Sequence, residues 1–318
     1  MVTDILQIQQ PGLLATLQDF GRYGYLAQGI TTGGPVDEHA FLWANRLLGN
    51  HYNAAQIEIT VGGFSALMKA RTQLVITGAW VEIRLNGKAQ PNWQVLAVNA
   101  GDRLEVNPAK QGLRAYLAVT GGFKAPLVKG SVATVQRDGL GGLQGTGKPL
   151  AAGDTVAGIA LKGDQEFLPR RPQSRFITMP GKSSLQLEVV AVAQADQFSA
   201  AAREQFSRQH FEMTTAQDRM GARLKAAKPI SWEGPQLISE PLPVGAIQIP
   251  PDGQPIIMLN DRQTLGGYPK IGVLSWRSRS LLAQAVAGTQ LQFKWMDLLD
   301  AQRQQRSAYC FFNVLTSR

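Results

Sequence analysis

Along most of the chain apolar and polar positions alternate with a spacing of two, and Gly or Pro breaks the alternation every few residues. In TQLVITGAWVEIRLNGKAQ (72–90), Val75, Thr77, Val81, Ile83 and Leu85 share one parity, and Asn86-Gly87 follows. That pattern predicts strands closed by a tight hairpin turn. WQVLAVNAGDRLEV (93–106) and LRAYLAVTGGF (113–123) repeat it, and AIQIPPDGQPIIMLN (246–260) repeats it with a bend at Asp252-Gly253. Many short strands with regular turn signals predict an all-β barrel or sandwich core. A small echo runs through AGDRLEV (100–106), AGDTVAG (152–158) and AGTQLQF (287–293). Ordinary turn chemistry explains the echo as readily as a repeated architecture does.

Helical spacing is rarer. VDEHAFLWANRLLGN (36–50) sets Phe41, Ala44, Leu47 and Leu48 on one face, with Asp37 as N-cap and Gly49 as stop. Shorter helices are expected in SAAAREQFSRQHF (199–211) and TAQDRMGARL (215–224), and a terminal one in MDLLDAQRQQRSAYCFF (296–312). KGDQEFLPRRPQSR (162–175) holds two prolines and no period, which marks a linker. With 318 residues, 44% of them hydrophobic, two domains are expected, at 1–165 and 176–318.

Charge and composition narrow the function classes. The net charge is +9, spread as +3 over residues 1–160 and +6 over 161–318, with no run of four basic residues. A diffuse basic surface suits anionic metabolites or an acidic partner better than a nucleic-acid groove. No apolar run approaches the roughly 20 residues that cross a bilayer, and no signal peptide is visible at MVTDILQIQQPGLLATL. The single Cys310 suits a reducing compartment, so a cytoplasmic protein without membrane contact is expected.

Several kinds of chemistry drop out. His39, His51 and His210 are scattered, with no metal-ligand spacing, and Cys310 reads as core. No G-x-S-x-G elbow occurs, and ALMKA (66–70) only imitates a biotin-carrier motif. GGLQGTGKPL (141–150) falls one residue short of a phosphate-binding loop, and Pro149 stands where its magnesium-binding hydroxyl belongs. Three polar stretches remain. QDFGRYGYLAQGITTGGPVDEH (18–39) surrounds five glycines with Asp19, Arg22 and Asp37; a binding loop and a solvated loop leading to a helix cap are both open. AQDRMGARL (216–224) would set Arg219 and Arg223 on one helix face, either as a clamp for a carboxylate or phosphate or as a solvated face. LNDRQTLGGYPKIG (259–272) packs Asn260, Asp261, Arg262, Gln263 and Thr264 after an apolar strand and before Tyr268-Pro269. Such density at a strand end is how a barrel presents polar groups to a small ligand.

Taken together, LQDFGRYGYLAQGITTGGPVDEHAFLWANRLLGN (17–50), IEITVGG (57–63), RAYLAVTGGF (114–123), DRMGARL (218–224) and LISEPLPVGAIQIPPDGQPIIMLNDRQTLGGYPKIG (237–272) resemble one family. It is the family of the second allophanate hydrolase subunit, also called KipA-type or biotin-dependent carboxyltransferase-like, which includes the C-type component of 5-oxoprolinase. The resemblance implies a mainly β fold of tandem cyclophilin-like β-barrels with a few short helices. It implies a B-type (KipI-type) protein as partner and, with an A-type component of 5-oxoprolinase, ATP-dependent opening of 5-oxoproline to glutamate. Asp261 and Arg219 would then be catalytic, with Arg219 and Arg223 binding anions. Asn260, Gln263, Thr264 and Tyr268 would position the lactam, with Asp19, Arg22 and Asp37 on the opposite wall and Glu58 orienting an arginine. Two alternatives follow from the same resemblance: a carboxyltransferase component that uses biotin from another chain, and a non-catalytic regulator of a KipI-type kinase inhibitor. The family's Gly-Gly-x-x-Gly turn is matched by Gly141-Gly142 and Gly145, so GGLQGTGKPL is expected to be a barrel turn. Two departures stand out: Val132, Ala133 and Val135 where members carry polar residues, and Ser278 where they carry an aspartate.

Overall fold

Alternating segments need a partner on each edge and a buried face, and the computed structural model shows where they find both. It describes residues 2–161, 170–172 and 183–315. The chain divides into two compact units: Met1–Arg22, Gly33–Pro180 and Phe312–Val314 in the first, Tyr23–Thr32, Gly181–Phe311 and Leu315–Arg318 in the second. Of the expected linker at 162–175, only Arg170–Pro172 lie within the described residues. Neither short exchanged segment carries a pattern of its own, so a division by sequence alone runs straight past both.

The first unit is built from β1 (Val2–Pro11), β2 (Leu14–Gln18), α1 (Glu38–Leu48), β3 (Gln56–Thr60), β4 (Phe64–Met68), β5 (Thr72–Trp80), β6 (Ile83–Leu85), β7 (Lys88–Gln90), β8 (Leu96–Val98), β9 (Arg103–Val106), β10 (Gln111–Val119) and β11 (Thr155–Ile159). One sheet runs β11-β1-β4-β9-β6-β7 and the other β2-β3-β10-β5-β8. Ile8, Phe64 and Leu104 from the first sheet and Leu17, Ile57 and Leu117 from the second enter one buried cluster. Each such side chain contributes about 1.5–3 kcal/mol on leaving water. Asn86-Gly87 turns β6 into β7, pairing Ile83 with Gln90 and Leu85 with Lys88. Asp37 caps α1 by accepting from the Ala40 N–H at 3.0 Å, and Gly49 ends it in the left-handed region.

The second unit contains β12 (Ser184–Ala191), α2 (Ala200–Arg208), β13 (Phe211–Gln217), β14 (Gly221–Ala226), β15 (Glu240–Pro241), β16 (Ala246–Gln248), β17 (Ile256–Met258), β18 (Leu265–Gly266), β19 (Lys270–Leu274), α3 (Trp276–Leu282), β20 (Gln290–Trp295) and α4 (Leu298–Phe311). Seven of its strands close into a barrel, in the order β12-β19-β16-β17-β14-β13-β20. The parallel pairing of β12 with β20 completes the circle. Phe206 of α2 stacks on Phe293 with centroids 4.5 Å apart, and Phe211 lies 5.7 Å from Phe206. The fold is mainly β with a few helices, as expected.

Three local expectations change. DRMGARL is a hairpin rather than a helix: Asp218 N–H donates to the Gly221 carbonyl, and the Asp218 carboxylate accepts from the Met220 and Gly221 N–H groups at 2.7 and 3.0 Å. Asp at the first and Gly at the fourth turn position favour this geometry, while buried Ala222, Leu224 and Ala226 alternate along β14. The helix α3 was not foreseen, because seven residues carry too little period; Ser275 caps it through the Ser278 N–H. Cys310 is half-buried and not core, since α4 has no buried residue.

The echo acquires a structural meaning. Gly101, Gly153 and Gly288 all take positive φ, and their N–H groups donate back to Met68, Ile8 and Met213. The next residue in each turn, Asp102, Asp154 or Thr289, accepts from the N–H three positions earlier, at 2.7, 2.8 and 3.2 Å. One turn therefore leads into β9, β11 and β20, twice in the first unit and once in the second. GGLQGTGKPL is also a turn, with no helix after it to face a phosphate. A Cβ on Gly141 would lie 2.0 Å from the Ala133 carbonyl oxygen.

Candidate functional site

In the second unit, polar groups collect where β17 ends and the β13–β14 hairpin turns. Leu259 and Asp261 donate their N–H groups to the Met220 and Arg219 carbonyls, both at 2.8 Å, so the two turns are stitched together through the backbone. This brings the Asp261 carboxylate against the Arg219 guanidinium. Nε donates to Oδ2 and an Nη to Oδ1, each at 2.9 Å, with both side chains buried. Such a fork-on-fork pair is charge-assisted and directional. It also engages both Asp261 oxygens, which makes this carboxylate a positioning group for Arg219.

Arg262, to which the sequence pattern assigns no role, lies in the same turn and is 3% exposed. Its Nε donates to the Leu242 carbonyl at 2.7 Å, and one Nη lies 3.5 Å from the Thr32 hydroxyl. Burial is the main cause that lowers its pKa to about 10, the Arg279 charge adds to this, and Tyr23 and Asp261 oppose it. It stays cationic at neutral pH. Thr31 Oγ1 donates to the Asn260 carbonyl at 3.1 Å, so the Tyr23–Thr32 segment of this unit reaches the same turn. The sequence signal that could have found Arg262 is its place between Asp261 and Gln263 directly after an apolar strand.

The other expected residues of this unit lie elsewhere. Arg223 is exposed on β14 and pairs with Asp252 at 3.0 Å, so it does not form a clamp with Arg219. The reason is the hairpin: a residue in the turn and a residue on an outward strand position do not share a face. Gln263 is exposed, and Thr264 is half-buried with its carbonyl accepting from the Leu242 N–H at 2.9 Å. Tyr268 is exposed and joins Trp232, Pro235 and Pro250 around a separate pocket of about 850 Å³.

In the first unit the four expected residues form two buried networks. Asp19 accepts from Ser131 Oγ at 2.6 Å and from the Val132 N–H at 2.9 Å. Arg22 donates to the carbonyls of Val128, Ser131 and Ala133 at 2.8, 3.3 and 3.1 Å. The pair thus organises residues 128–133, and Val132, Ala133 and Val135 are buried there as core. In the second network, Tyr116 donates its hydroxyl to Glu58 Oε2 at 2.7 Å and accepts from the Asp37 N–H at 2.7 Å. Glu58 also accepts from the Val36 N–H at 3.0 Å, and its arginine neighbour is Arg114 at 3.9 Å. Burial, followed by the Glu58 and Asp37 charges, holds the Tyr116 hydroxyl well above its ordinary pKa. Ser278 is equally structural: it accepts from the Glu188 N–H at 2.7 Å.

Known proteins resemble this chain in both sequence and fold. The family description "Carboxyltransferase domain, subdomain A and B" matches residues 28–295. The C-type component of Escherichia coli 5-oxoprolinase is 32% identical over 318 residues, covering 99% of this chain and 98% of that protein. The urea amidolyase of Lachancea kluyveri is 30% identical over 310 residues, which is 90% of this chain and 17% of that protein. The crystal structure of the Kluyveromyces lactis urea carboxylase superposes with a TM-score of 0.89 at 24% identity, over 98% of this chain and 29% of that one, and shows the same fold. Among the described residues, no helix is long and apolar enough to cross a membrane.

Proposed function

The chain belongs to the family of the carboxyltransferase domain, subdomains A and B, and from that premise we propose that it is the C-type component of an ATP-dependent 5-oxoprolinase. It would work with a B-type (KipI-type) protein and an A-type component to open 5-oxoproline to glutamate. One observation carries this reading: the similarity to the E. coli C-type component runs end to end in both proteins, whereas in urea amidolyase the matching stretch is a small part of a longer chain.

The chemistry fits the groups available. A five-membered lactam is a poor electrophile, and phosphorylation of its carbonyl oxygen converts that oxygen into a leaving group. The site must then stabilise negative charge that grows on oxygen, which preorganised cationic donors do best. Arg219, held in one orientation by Asp261, is such a donor. Asn260, half-buried next to Asp261 in the same turn, carries an amide of the kind a lactam ring would engage. ATP supplies the phosphoryl group in the assembled enzyme; the one stretch of this chain that imitates a nucleotide loop is a glycine turn without the helix such a loop requires.

A second reading, a carboxyltransferase component served by biotin on another chain, draws on the fold shared with the urea carboxylase. Reconstitution separates them. The chain, co-purified with its B-type partner, is assayed for ATP hydrolysis with 5-oxoproline, urea and other lactams, with and without the A-type component. The expected result is turnover only with 5-oxoproline and all three components. Turnover of urea dependent on a biotinylated chain would replace the proposal with the second reading. Tight binding to the B-type protein with no turnover of any substrate would make the chain a KipA-like regulator. In the active assembly, Arg219→Ala and Asp261→Ala are each expected to cut turnover by roughly tenfold or more, and a loss below about threefold removes the pair from the site.

A further inference from the structure

The pocket around Tyr268 lies wholly in the second unit, and none of residues 259–264 lines it. Its wall comes from three stretches, 229–239, 249–253 and 267–269. Backbone bonds tie them together. The Ile249 N–H donates to the Pro269 carbonyl at 2.9 Å, the Ile230 N–H to the Gly253 carbonyl at 3.0 Å, and the Gly253 N–H to the Pro250 carbonyl at 2.9 Å. Gly253 has φ of +68°, and a Cβ there would lie 2.5 Å from Pro229 Cβ, so this closure needs glycine. Five prolines stiffen the lining further. Such a wall is formed before a ligand arrives, which lowers the ordering cost of binding.

The lining combines apolar faces with a few polar tips. Trp232 is fixed against Phe198, with ring centroids 4.7 Å apart, and its Nε1 donates to the Pro235 carbonyl at 3.2 Å. Ile230, Ile249, Pro250 and Pro269 are buried. The side chains of Ser231, Gln236, Ser239 and Tyr268 form no hydrogen bond with another described residue. No Asp, Glu, Lys, Arg or His lines the pocket. Of the carboxylates next to the lining residues in sequence, Glu240 and Asp252 already pair with Lys270 and Arg223. An ion entering here would lose water and meet no counter-charge. A flat neutral ring instead gains the indole, phenol and proline faces, and its polar edge finds hydroxyl and amide partners. The volume of about 850 Å³ suits a ligand far larger than a five-membered lactam.

We propose that this pocket binds an uncharged, ring-bearing small molecule with amide- or hydroxyl-type groups at its edge, as a second ligand besides the substrate addressed by Arg219. Trp232 and Tyr268 are its apolar contact surfaces, and Ser231, Gln236 and Ser239 its hydrogen-bonding groups. The site stands whichever substrate reacts at Arg219.

Saturation-transfer NMR on the full chain tests this, with tryptophan fluorescence as a second readout. The probes are benzamide and indole acetamide, their matching anions benzoate and indole acetate, and a short proline-rich peptide. Each amide is expected to bind roughly tenfold or more tightly than its anion. Tyr268 is 45% exposed, so Tyr268→Ala leaves the fold intact and is expected to weaken amide binding by about fivefold or more. Trp232→Ala should do the same, and Trp232→Phe should keep the binding but lose the fluorescence response. If Trp232→Ala fails to fold, as judged by its melting temperature, Tyr268→Ala and Trp232→Phe carry the test. Equal binding of amide and anion overturns the proposal, as does amide binding that is unchanged in the folded alanine variants, or no binding of any ring. Tighter binding by the peptide replaces it with a docking groove for a segment of a partner protein. Excess 5-oxoproline is expected not to displace the amides; displacement would merge this pocket with the substrate site and overturn the second-ligand assignment.

Discussion

At the residue scale, burial decides what a charge does. Arg219 and Asp261 are both buried and doubly bonded to each other, so removing either breaks both of these bonds inside the protein. Arg219→Ala and Asp261→Ala are each expected to lower stability by about 3–5 kcal/mol in denaturant titration. Arg223 and Asp252 form a pair of nearly the same length, 3.0 Å, but in solvent, and Arg223→Ala should change stability by no more than about 1 kcal/mol. Tyr116 gives a pH-dependent counterpart. Its hydroxyl is fully buried between Glu58 and the Asp37 N–H, and its pKa is raised in the fold. Above the ordinary tyrosine value of 10.0, the unfolded chain loses this proton while the folded chain keeps it, so stability falls as pH rises from there. Tyr116→Phe is expected to cost about 1–3 kcal/mol at pH 7 by stranding buried partners, and to flatten the alkaline slope. An unchanged slope would mean that other groups govern alkaline unfolding.

At the element scale, the signals that worked were the short-range ones. The stripe of α1 was legible because Asp37 and Gly49 bracket it, and Asp37→Ala should cost about 1 kcal/mol in a melting experiment. The hairpin at Asn86-Gly87 was legible from two residues and the alternation around them. DRMGARL misled because Arg219 and Arg223, four apart, also fit a helix face. The deciding evidence, Asp218 and Gly221 at turn positions, spans only four residues. Glycine turns divide similarly. Gly87 has open space around it, so Gly87→Ala should cost roughly 1 kcal/mol. Gly141→Ala drives a methyl group into the Ala133 carbonyl and is expected to lower the melting temperature far more. Equal shifts would show that the 141–150 turn is free to move.

At the scale of the whole molecule, the sequence by itself determined the fold class, most strands, the helices α1, α2 and α4, and the family. Those depend on local periodicity, turn chemistry and long motifs in order, and each is written in contiguous residues. It also singled out Asp261 and Asn260 as a candidate binding turn, because polar density after an apolar strand is a local feature. Only the tertiary structure decided which charges meet. Asp261 finds Arg219 across 42 positions, and Arg262 reaches both Thr32 and Leu242. Asp19 and Arg22 turn inward to hold residues 128–133. Tyr23–Thr32 joins the second unit, although it lies inside the sequence of the first. No local pattern encodes these choices. A charged side chain looks alike in the sequence whether water or a buried partner will neutralise it, and the packing of elements distant in the chain settles which.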